Sequence, residues 1–114
     1  MPLLKIQTNA PMDKQKSQPL LQNVSQRIAQ ALNKPEQYMM VSLAADLPML
    51  FAGTSEPTAF LEFKGIGLPT AKTGELSQLL CEWVESELGV APQRIYINFA
   101  DVPASLWGWN GETF

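Results

Sequence analysis

Residues 2–45 read PLLKIQTNAPMDKQKSQPLLQNVSQRIAQALNKPEQYMMVSLAA, and this stretch decides the fold. It begins with a short apolar run at residues 2–8 that predicts a strand covered on both faces. Its middle places apolar side chains at steps of three and four between polar ones, which is typical of an amphipathic helix. Its end, residues 38–44, is mostly apolar and predicts a second strand inside a sheet. The stretch therefore predicts a β-α-β unit.

The ends of this first helix carry recognisable signals. Its start is either Asp13 or Ser17, because both are favourable N-cap types, and Pro19 suits a first turn. Asn33-Lys34-Pro35 ends it, because proline cannot continue a helix.

The second half of the chain repeats the first. Residues 58–64 predict a third strand and residues 94–99 a fourth, with a helix between them that Thr73 could cap and Gly89 would end. A shift of about 57 residues aligns Pro35 with Pro92 and Leu4 with Leu61. The pseudo-repeats therefore span about residues 2–45 and 58–101. A hairpin signal, Asn110-Gly111, lies within residues 105–114.

Two such units predict an α+β fold, an α/β sandwich, as a single domain over residues 1–114. Strands joined by a helix are parallel with a right-handed crossover, so we expect a four-stranded mixed sheet with both helices on one face. Strands two and four are apolar on both sides, so the other face should be too apolar for a monomer. We therefore expect an obligate oligomer packed through the sheets.

The composition excludes several classes of function. The formal net charge is −3, and no Lys/Arg cluster is interleaved with aromatic residues, so nucleic acid is not the expected partner. The chain has no apolar run long enough for a membrane span and no secretory signal, so we expect a cytoplasmic protein. Cys81, expected to be a small helix residue, is the only cysteine, and histidine is absent. An internal disulfide, a Cys/His zinc site and a histidine-activated nucleophile are therefore excluded.

Without histidine, a base that works near neutral pH must come from another group. If Met1 is removed, as is usual before a small second residue, Pro2 becomes a chain terminus with a free secondary amine. An unperturbed α-amino group titrates near ~8. Partial desolvation and a nearby cation would favour its neutral form, which could act as a general base. Alternatively, Pro2 simply begins a strand, where its missing N–H costs nothing.

The predicted topology brings further residues to the Pro2 end of the sheet. The crossover helix delivers Lys34 and Tyr38 beside Pro2, because parallel strands begin at the same edge. An antiparallel third strand would bring its exit, Lys64-Gly65-Ile66, to the same corner. Tyr96 begins the fourth strand at the far end, roughly 20 Å away at ~3.3 Å per residue. It could serve the Pro2 of a neighbouring subunit if subunits pack head to tail.

Seven blocks of sequence, in this order along nearly the whole chain, resemble the macrophage migration inhibitory factor family of the tautomerase superfamily. They are Met1-Pro2, Thr8-Asn9, Asn33-Lys34-Pro35 with Tyr38, Gly53-Thr54-Ser55-Glu56-Pro57, Gly65-Ile66-Gly67, Arg94-Ile95-Tyr96-Ile97-Asn98, and Gly108-Trp109-Asn110 through Thr113-Phe114. The resemblance implies a homotrimer whose sheets line a central barrel. It also implies a keto-enol tautomerase that needs no cofactor and acts on phenylpyruvate-like α-keto acids, or on dopachrome.

The resemblance also implies roles for individual residues. Pro2 would be the catalytic base, and Lys34 would hold the substrate carboxylate and lower the proton affinity of the amine. The remaining contacts would come from the Ile66 backbone, from Tyr96 and Asn98 of the adjacent subunit, and from a pocket wall of Tyr38, Trp107, Trp109 and Phe114.

Alternatives to these roles follow from the residues themselves. Lys34 could be a solvated lysine at a helix end, favoured by the macrodipole. The aromatic residues could pack in the core or an interface, and Asn98 could face water on an edge strand. The chain could also be a cytokine-like signalling ligand with a vestigial pocket, a receptor as partner and leaderless secretion, or a scaffold trimer with neither role.

The chain departs from the mammalian family pattern at two places. Thr58-Ala59-Phe60-Leu61 replaces a Cys-x-x-Cys pair, so thiol-disulfide activity is not expected. Trp107 replaces a smaller aliphatic residue at the pocket rim, so pocket size and substrate preference should differ.

Overall fold

The computed structural model describes residues 2–114, so the expected loss of Met1 lies outside the described residues. The main strands are β1 (Leu3–Thr8), β2 (Met40–Ala44), β3 (Ala59–Gly65) and β4 (Ile95–Asp101). Helix α1 (Lys14–Leu32) joins β1 to β2, and helix α2 (Thr73–Leu88) joins β3 to β4. A short hairpin follows, made of β5 (Gly108–Trp109) and β6 (Glu112–Thr113). The β-α-β order thus occurs twice.

The four main strands form one mixed sheet in the order β2-β1-β3-β4. β1 is parallel to β2, and β3 is parallel to β4. The two central strands are antiparallel, with Leu3 opposite Lys64. This arrangement confirms the predicted four-stranded mixed sheet and the α+β class.

Both helices lie on the same face of the sheet and enclose the core. β1 and β3 supply Leu4, Ile6, Leu61 and Phe63, none of which is more than 1% exposed. The two helices contribute further large core side chains, among them Val24, Ile28, Leu80, Trp83 and Val84. Burial of these apolar faces is the main contribution to the stability of the layered fold. None of the helices in residues 2–114 has the length and apolar character needed to cross a bilayer.

The helix ends settle one alternative and correct two details. Asp13 is the N-cap of α1, because its Oδ1 accepts a hydrogen bond from the Gln15 N–H at 3.0 Å. Pro19 lies inside α1, one turn later than expected. Thr73 does not cap α2; it is the first residue of that helix, and its hydroxyl donates to the Thr70 carbonyl at 2.8 Å. Gly89 ends α2 with φ +69°, as predicted.

The two edge strands begin later than the sequence suggests. Tyr38 lies in a 3-10 turn, Glu36–Tyr38, and Arg94 ends another, Pro92–Arg94. Proline fixes the backbone at the start of each turn: Pro35 precedes the first, and Pro92 is the first residue of the second. These turns place Tyr38 and Arg94 just before the strands rather than within them.

The bare face of the sheet is less apolar than expected from strands two and four. At its centre the Lys5 ammonium lies 3.7 Å from a Glu62 carboxylate oxygen. Strand alternation places Val41 and Leu43 of β2 toward the helices and leaves Ser42 on the bare side. The features that favour association are instead the outer edges of β2 and β4, which have no strand partner among the described residues.

Candidate active site

Pro2 is held at one corner of the sheet by the strand ladder. Its carbonyl accepts a hydrogen bond from the Met40 N–H at 3.1 Å. Leu3, the next residue, is paired with Met40 on one side and with Lys64 on the other. The position of Pro2 is therefore set by three strands, and Pro2 itself is buried.

A cavity of about 250 Å³ opens at this corner. Pro2, Tyr38, Trp107 and Trp109 all line it, so the structure brings together the predicted base and three of the four predicted wall residues. The hairpin carries Trp109 to the cavity through a turn at Asn110 and Gly111, which have φ +54° and +78°. A small, mostly apolar cavity of this kind suits a planar aromatic ligand.

The fourth predicted wall residue, Phe114, completes an aromatic cluster beside the cavity. The Phe114 ring stacks on the Trp109 ring, with 5.5 Å between centroids. The Tyr38 ring meets both edge-on, at 5.8 Å from Trp109 and 6.4 Å from Phe114. The Phe114 N–H donates to the Trp107 carbonyl at 3.1 Å and fixes the last residues against the hairpin. The three rings and the backbone of the last residues therefore hold one another in place.

Lys34 and Ile66 meet directly at the same end of the sheet. The Lys34 Nζ donates a hydrogen bond to the Ile66 carbonyl at 3.0 Å. Ile66 follows Gly65, the last residue of β3, and the register of Leu3 with Lys64 places it next to Pro2. Lys34 lines a neighbouring groove with Pro35 and Glu36 rather than the Pro2 cavity itself. Its ammonium keeps two N–H donors for another acceptor.

Hydrogen bonds with residues at the end of β4 hold the turn that contains Ile66. The Asp101 carboxylate accepts a hydrogen bond from the Leu68 N–H at 3.1 Å, and the Val102 N–H donates to the Gly65 carbonyl at 2.8 Å. These contacts fix the acceptor that holds the Lys34 ammonium.

Tyr96 and Asn98 are not brought to this corner. Tyr96 pairs with Phe60, and Phe60 pairs with Gln7, so Tyr96 lies at the opposite end of the sheet from Pro2. Asn98 lies further along β4, opposite Glu62, and is exposed on the edge strand. The prediction that Tyr96 cannot reach the Pro2 of its own chain is confirmed.

Sequence reasoning missed five residues that line the cavity: Leu3, Gln37, Met39, Met40 and Gly108. A strand spanning residues 38–44 would have sent Met39 and Met40 to opposite faces. The 3-10 turn after Pro35 instead presents residues 37–40 to Pro2 as one wall. The signal that could have found them is the glutamate after proline, which is typical of a short helical turn.

Comparisons with known proteins agree with this fold. The family model described as macrophage migration inhibitory factor matches residues 1–114. The macrophage migration inhibitory factor of Meriones unguiculatus is 39% identical over 115 residues, covering 100% of this chain and 99% of the relative. A macrophage migration inhibitory factor homologue from Brugia malayi is 34% identical over 115 residues, with the same coverage of both chains.

Solved structures agree as well. The structure of a macrophage migration inhibitory factor homologue from Prochlorococcus marinus matches with a TM-score of 0.94 and 48% identity, covering 98% of each chain. The factor from Toxoplasma gondii matches with a TM-score of 0.90 and 29% identity, covering 98% of this chain and 99% of that one. The chain therefore belongs to the macrophage migration inhibitory factor family, within the tautomerase superfamily.

Proposed function

We propose that this protein is a keto-enol tautomerase of aromatic α-keto acids such as phenylpyruvate, with Pro2 as the base once Met1 is removed. The observation that carries the proposal is the placement of Pro2 in a cavity of about 250 Å³ walled by Tyr38, Trp107 and Trp109. Among the described residues that line this cavity, Pro2 would supply a proton acceptor suited to neutral pH, because its secondary amine would be a chain terminus. Dopachrome, also planar and a carboxylate, is a second candidate substrate.

The reaction moves one proton and needs no co-reactant. The neutral Pro2 nitrogen accepts a proton from the carbon next to the keto group. The electrons of the broken carbon–hydrogen bond form the carbon–carbon double bond of the enol as the carbonyl π electrons move to oxygen. That oxygen then takes the proton from the protonated Pro2 amine, directly or through water, and the amine returns to its neutral form. Removing a carbon-bound proton is easier when the base is close and oriented, which the hydrogen bond from the Met40 N–H to the Pro2 carbonyl provides.

Lys34 would bind the substrate carboxylate. Its ammonium is anchored by the Ile66 carbonyl and keeps two donors for an anion. A cation at this corner would also favour the neutral form of the Pro2 amine. The aromatic ring of the substrate would then lie against the cluster of Tyr38, Trp109 and Phe114, where edge and stacked contacts are available.

We propose a homotrimer in which Tyr96 and Asn98 of an adjacent subunit complete each site. The unpaired edges of β2 and β4 favour strand-edge association, and each carries a large apolar side chain, Met40 and Tyr96, that is 65% exposed. Head-to-tail packing would bring the Tyr96 end of one sheet to the Pro2 corner of the next. Three such sheets would enclose a central barrel lined by the mixed face that contains Lys5 and Glu62.

The direct test is ultraviolet-monitored tautomerisation of phenylpyruvate by the wild type and Pro2→Gly. The wild type should turn over the substrate, and Pro2→Gly should lose most of the rate, because it lacks the secondary amine. Pro11→Gly, in an exposed turn after β1, is the matched control and should keep the rate. Intact mass must first show that Met1 is absent. Equal rates for the wild type and Pro2→Gly would refute the role of Pro2.

The shared site has a separate test in subunit mixing. Pro2→Gly and Tyr96→Ala/Asn98→Ala should each be nearly inactive, because each site would lack one essential side. After co-refolding in equal amounts, about a quarter of the sites should join an intact Pro2 to an intact Tyr96, as random pairing of the two sides requires. Recovery of activity supports a site between subunits. Simple averaging of the two parent activities would contradict it.

A further inference from the structure

Arg94 organises the loop between β2 and β3 from the end of the sheet opposite Pro2. Its guanidinium donates hydrogen bonds to four backbone carbonyls, those of Phe51, Thr54, Glu56 and Pro57, at 3.1, 3.3, 3.0 and 2.9 Å. A planar fork with five N–H donors can satisfy this many acceptors at once, which a lysine cannot. Residues 51–57 are therefore built around a single side chain.

Phe51 connects this arginine to Tyr96. The Arg94 guanidinium carbon lies 5.2 Å from the centroid of the Phe51 ring, within the range of a cation–π contact. The Phe51 ring in turn meets the Tyr96 ring edge-on, with 4.9 Å between centroids. Phe51 and Thr54 also exchange two backbone hydrogen bonds, of 3.0 and 3.1 Å, across a tight turn with positive φ at Ala52 and Gly53. The Phe51 ring is thus fixed in place by its backbone and by Arg94.

Tyr96 needs such support, because its side chain is 65% exposed on an edge strand. An exposed tyrosine on an edge strand would otherwise sample several rotamers. The ring of Phe51 restricts the orientation of the Tyr96 ring.

We propose that Arg94 and Phe51 are positioning residues that hold Tyr96 in the orientation required to form one wall of the adjacent subunit's Pro2 site. This inference rests on the proposed function, which gives Tyr96 its place in that site. Arg94 and Phe51 would act on Tyr96 rather than on substrate, by lowering the entropy that Tyr96 loses when substrate binds. Loss of either should weaken substrate binding more than the proton-transfer step.

The chain offers a clean readout, because it contains only two tyrosines, Tyr38 and Tyr96. Protein labelled with 3-fluorotyrosine should give two fluorine resonances, which Tyr38→Phe assigns. Phe51→Leu and Arg94→Met should each move the Tyr96 resonance and leave the Tyr38 resonance in place. Arg27→Met, at the only other arginine, removes the same charge from an exposed position on α1 and should move neither.

The same variants separate positioning from general loss of structure. Phe51→Leu and Arg94→Met should raise KM for phenylpyruvate about threefold to tenfold, the size expected from loss of one aromatic pair, with kcat within about twofold of wild type. Phe51→Tyr keeps the ring and should keep KM near the wild-type value; because it adds a third tyrosine, it is compared by KM alone. Arg94→Lys keeps the charge but not the fork and should restore neither KM nor the Tyr96 resonance.

Two results would overturn the proposal. The first is an unchanged Tyr96 resonance in Phe51→Leu. This variant is the milder of the two, so it keeps the test available if Arg94→Met fails to fold. The second is a shifted resonance with an unchanged KM, which would show that the orientation of Tyr96 does not matter to the site. A wild type without phenylpyruvate turnover would refute the proposed function, and the Tyr96 resonance would then still decide whether Arg94 and Phe51 fix that ring.

Discussion

Lys34 offers the sharpest test of how the substrate carboxylate is held. Lys34→Met removes the ammonium but keeps most of the apolar side chain, so the groove beside Pro35 should keep its shape. Hydrogen bonds to charged groups contribute about 1.5–3 kcal/mol each. Because Lys34 is only partly buried, solvent screening favours the lower end of that range. We therefore expect kcat/KM for phenylpyruvate to fall about 10- to 30-fold, mainly through KM.

The assay compares two substrates and two lysines. Phenylpyruvate carries the carboxylate, and its methyl ester does not, so Lys34→Met should slow the acid much more than the ester. Lys72→Met is the matched control, because the Lys72 ammonium also donates to a backbone carbonyl, that of Ala31, at 3.5 Å. It removes the same charge from the same end of α1 and should leave kcat/KM for both substrates within about twofold of wild type.

Either of two outcomes would refute this reasoning. If Lys34→Met slowed the acid and the ester equally, the Lys34 ammonium would not bind the substrate carboxylate. If Lys72→Met caused the same loss as Lys34→Met, the effect would come from net charge rather than from the position fixed by the Ile66 carbonyl.

Further predictions concern the chain start, the pocket, the core and the cysteine. Protein that retains Met1 should be inactive, because an amide nitrogen accepts no proton; activity that does not follow the mass-determined fraction lacking Met1 would contradict this. Trp107→Val should widen the cavity and raise kcat/KM for a naphthyl analogue relative to phenylpyruvate by about tenfold, a typical value for a change in pocket size; an unchanged ratio would show that Trp107 does not limit size. Thr8→Val should lower the free energy of unfolding by about 1–3 kcal/mol, because the buried Thr8 hydroxyl donates to the Thr58 carbonyl and accepts from the Ala10 N–H. Urea unfolding at one protein concentration tests this, and the control variant Thr70→Val, at an exposed position, should change the free energy of unfolding little. Burial raises the pKa of the Cys81 thiol, and so does the nearby Glu85 carboxylate, whereas a hydrogen bond with Ser77 lowers it by less. A raised pKa leaves less thiolate at pH 8, so iodoacetamide should modify Cys81 more slowly in the native protein than in the urea-unfolded chain. Equal rates of modification would argue against the raised pKa.

The sequence was sufficient for the layers and the topology, because these depend on the period of apolar residues. The steps of three and four in α1 and the repeat that aligns Leu4 with Leu61 indicate two β-α-β units. Parallel pairing within each unit then places Pro2 beside the entry to β2, as the structure has it. The distance of Tyr96 from Pro2 also follows from strand direction alone.

Details that depend on side-chain direction could not be predicted in the same way. Counting apolar residues in residues 38–44 did not reveal that Ser42 faces away from the helices, so the bare face was predicted to be too apolar. The contacts of Arg94 were missed because all four acceptors are backbone carbonyls, which leave no pattern in the side chains. The bond from Lys34 to Ile66 was missed for the same reason.

The aromatic cluster has a practical consequence for handling the protein. Pro2 and Phe114 meet at one corner, since Trp109 lines the Pro2 cavity and stacks on Phe114. A purification tag attached before Pro2 would therefore block the nitrogen that we propose as the base, and a tag attached after Phe114 would crowd the aromatic cluster beside the cavity. An exposed site such as Gly74, where an added side chain meets open space, is the safer place to attach a label or a surface.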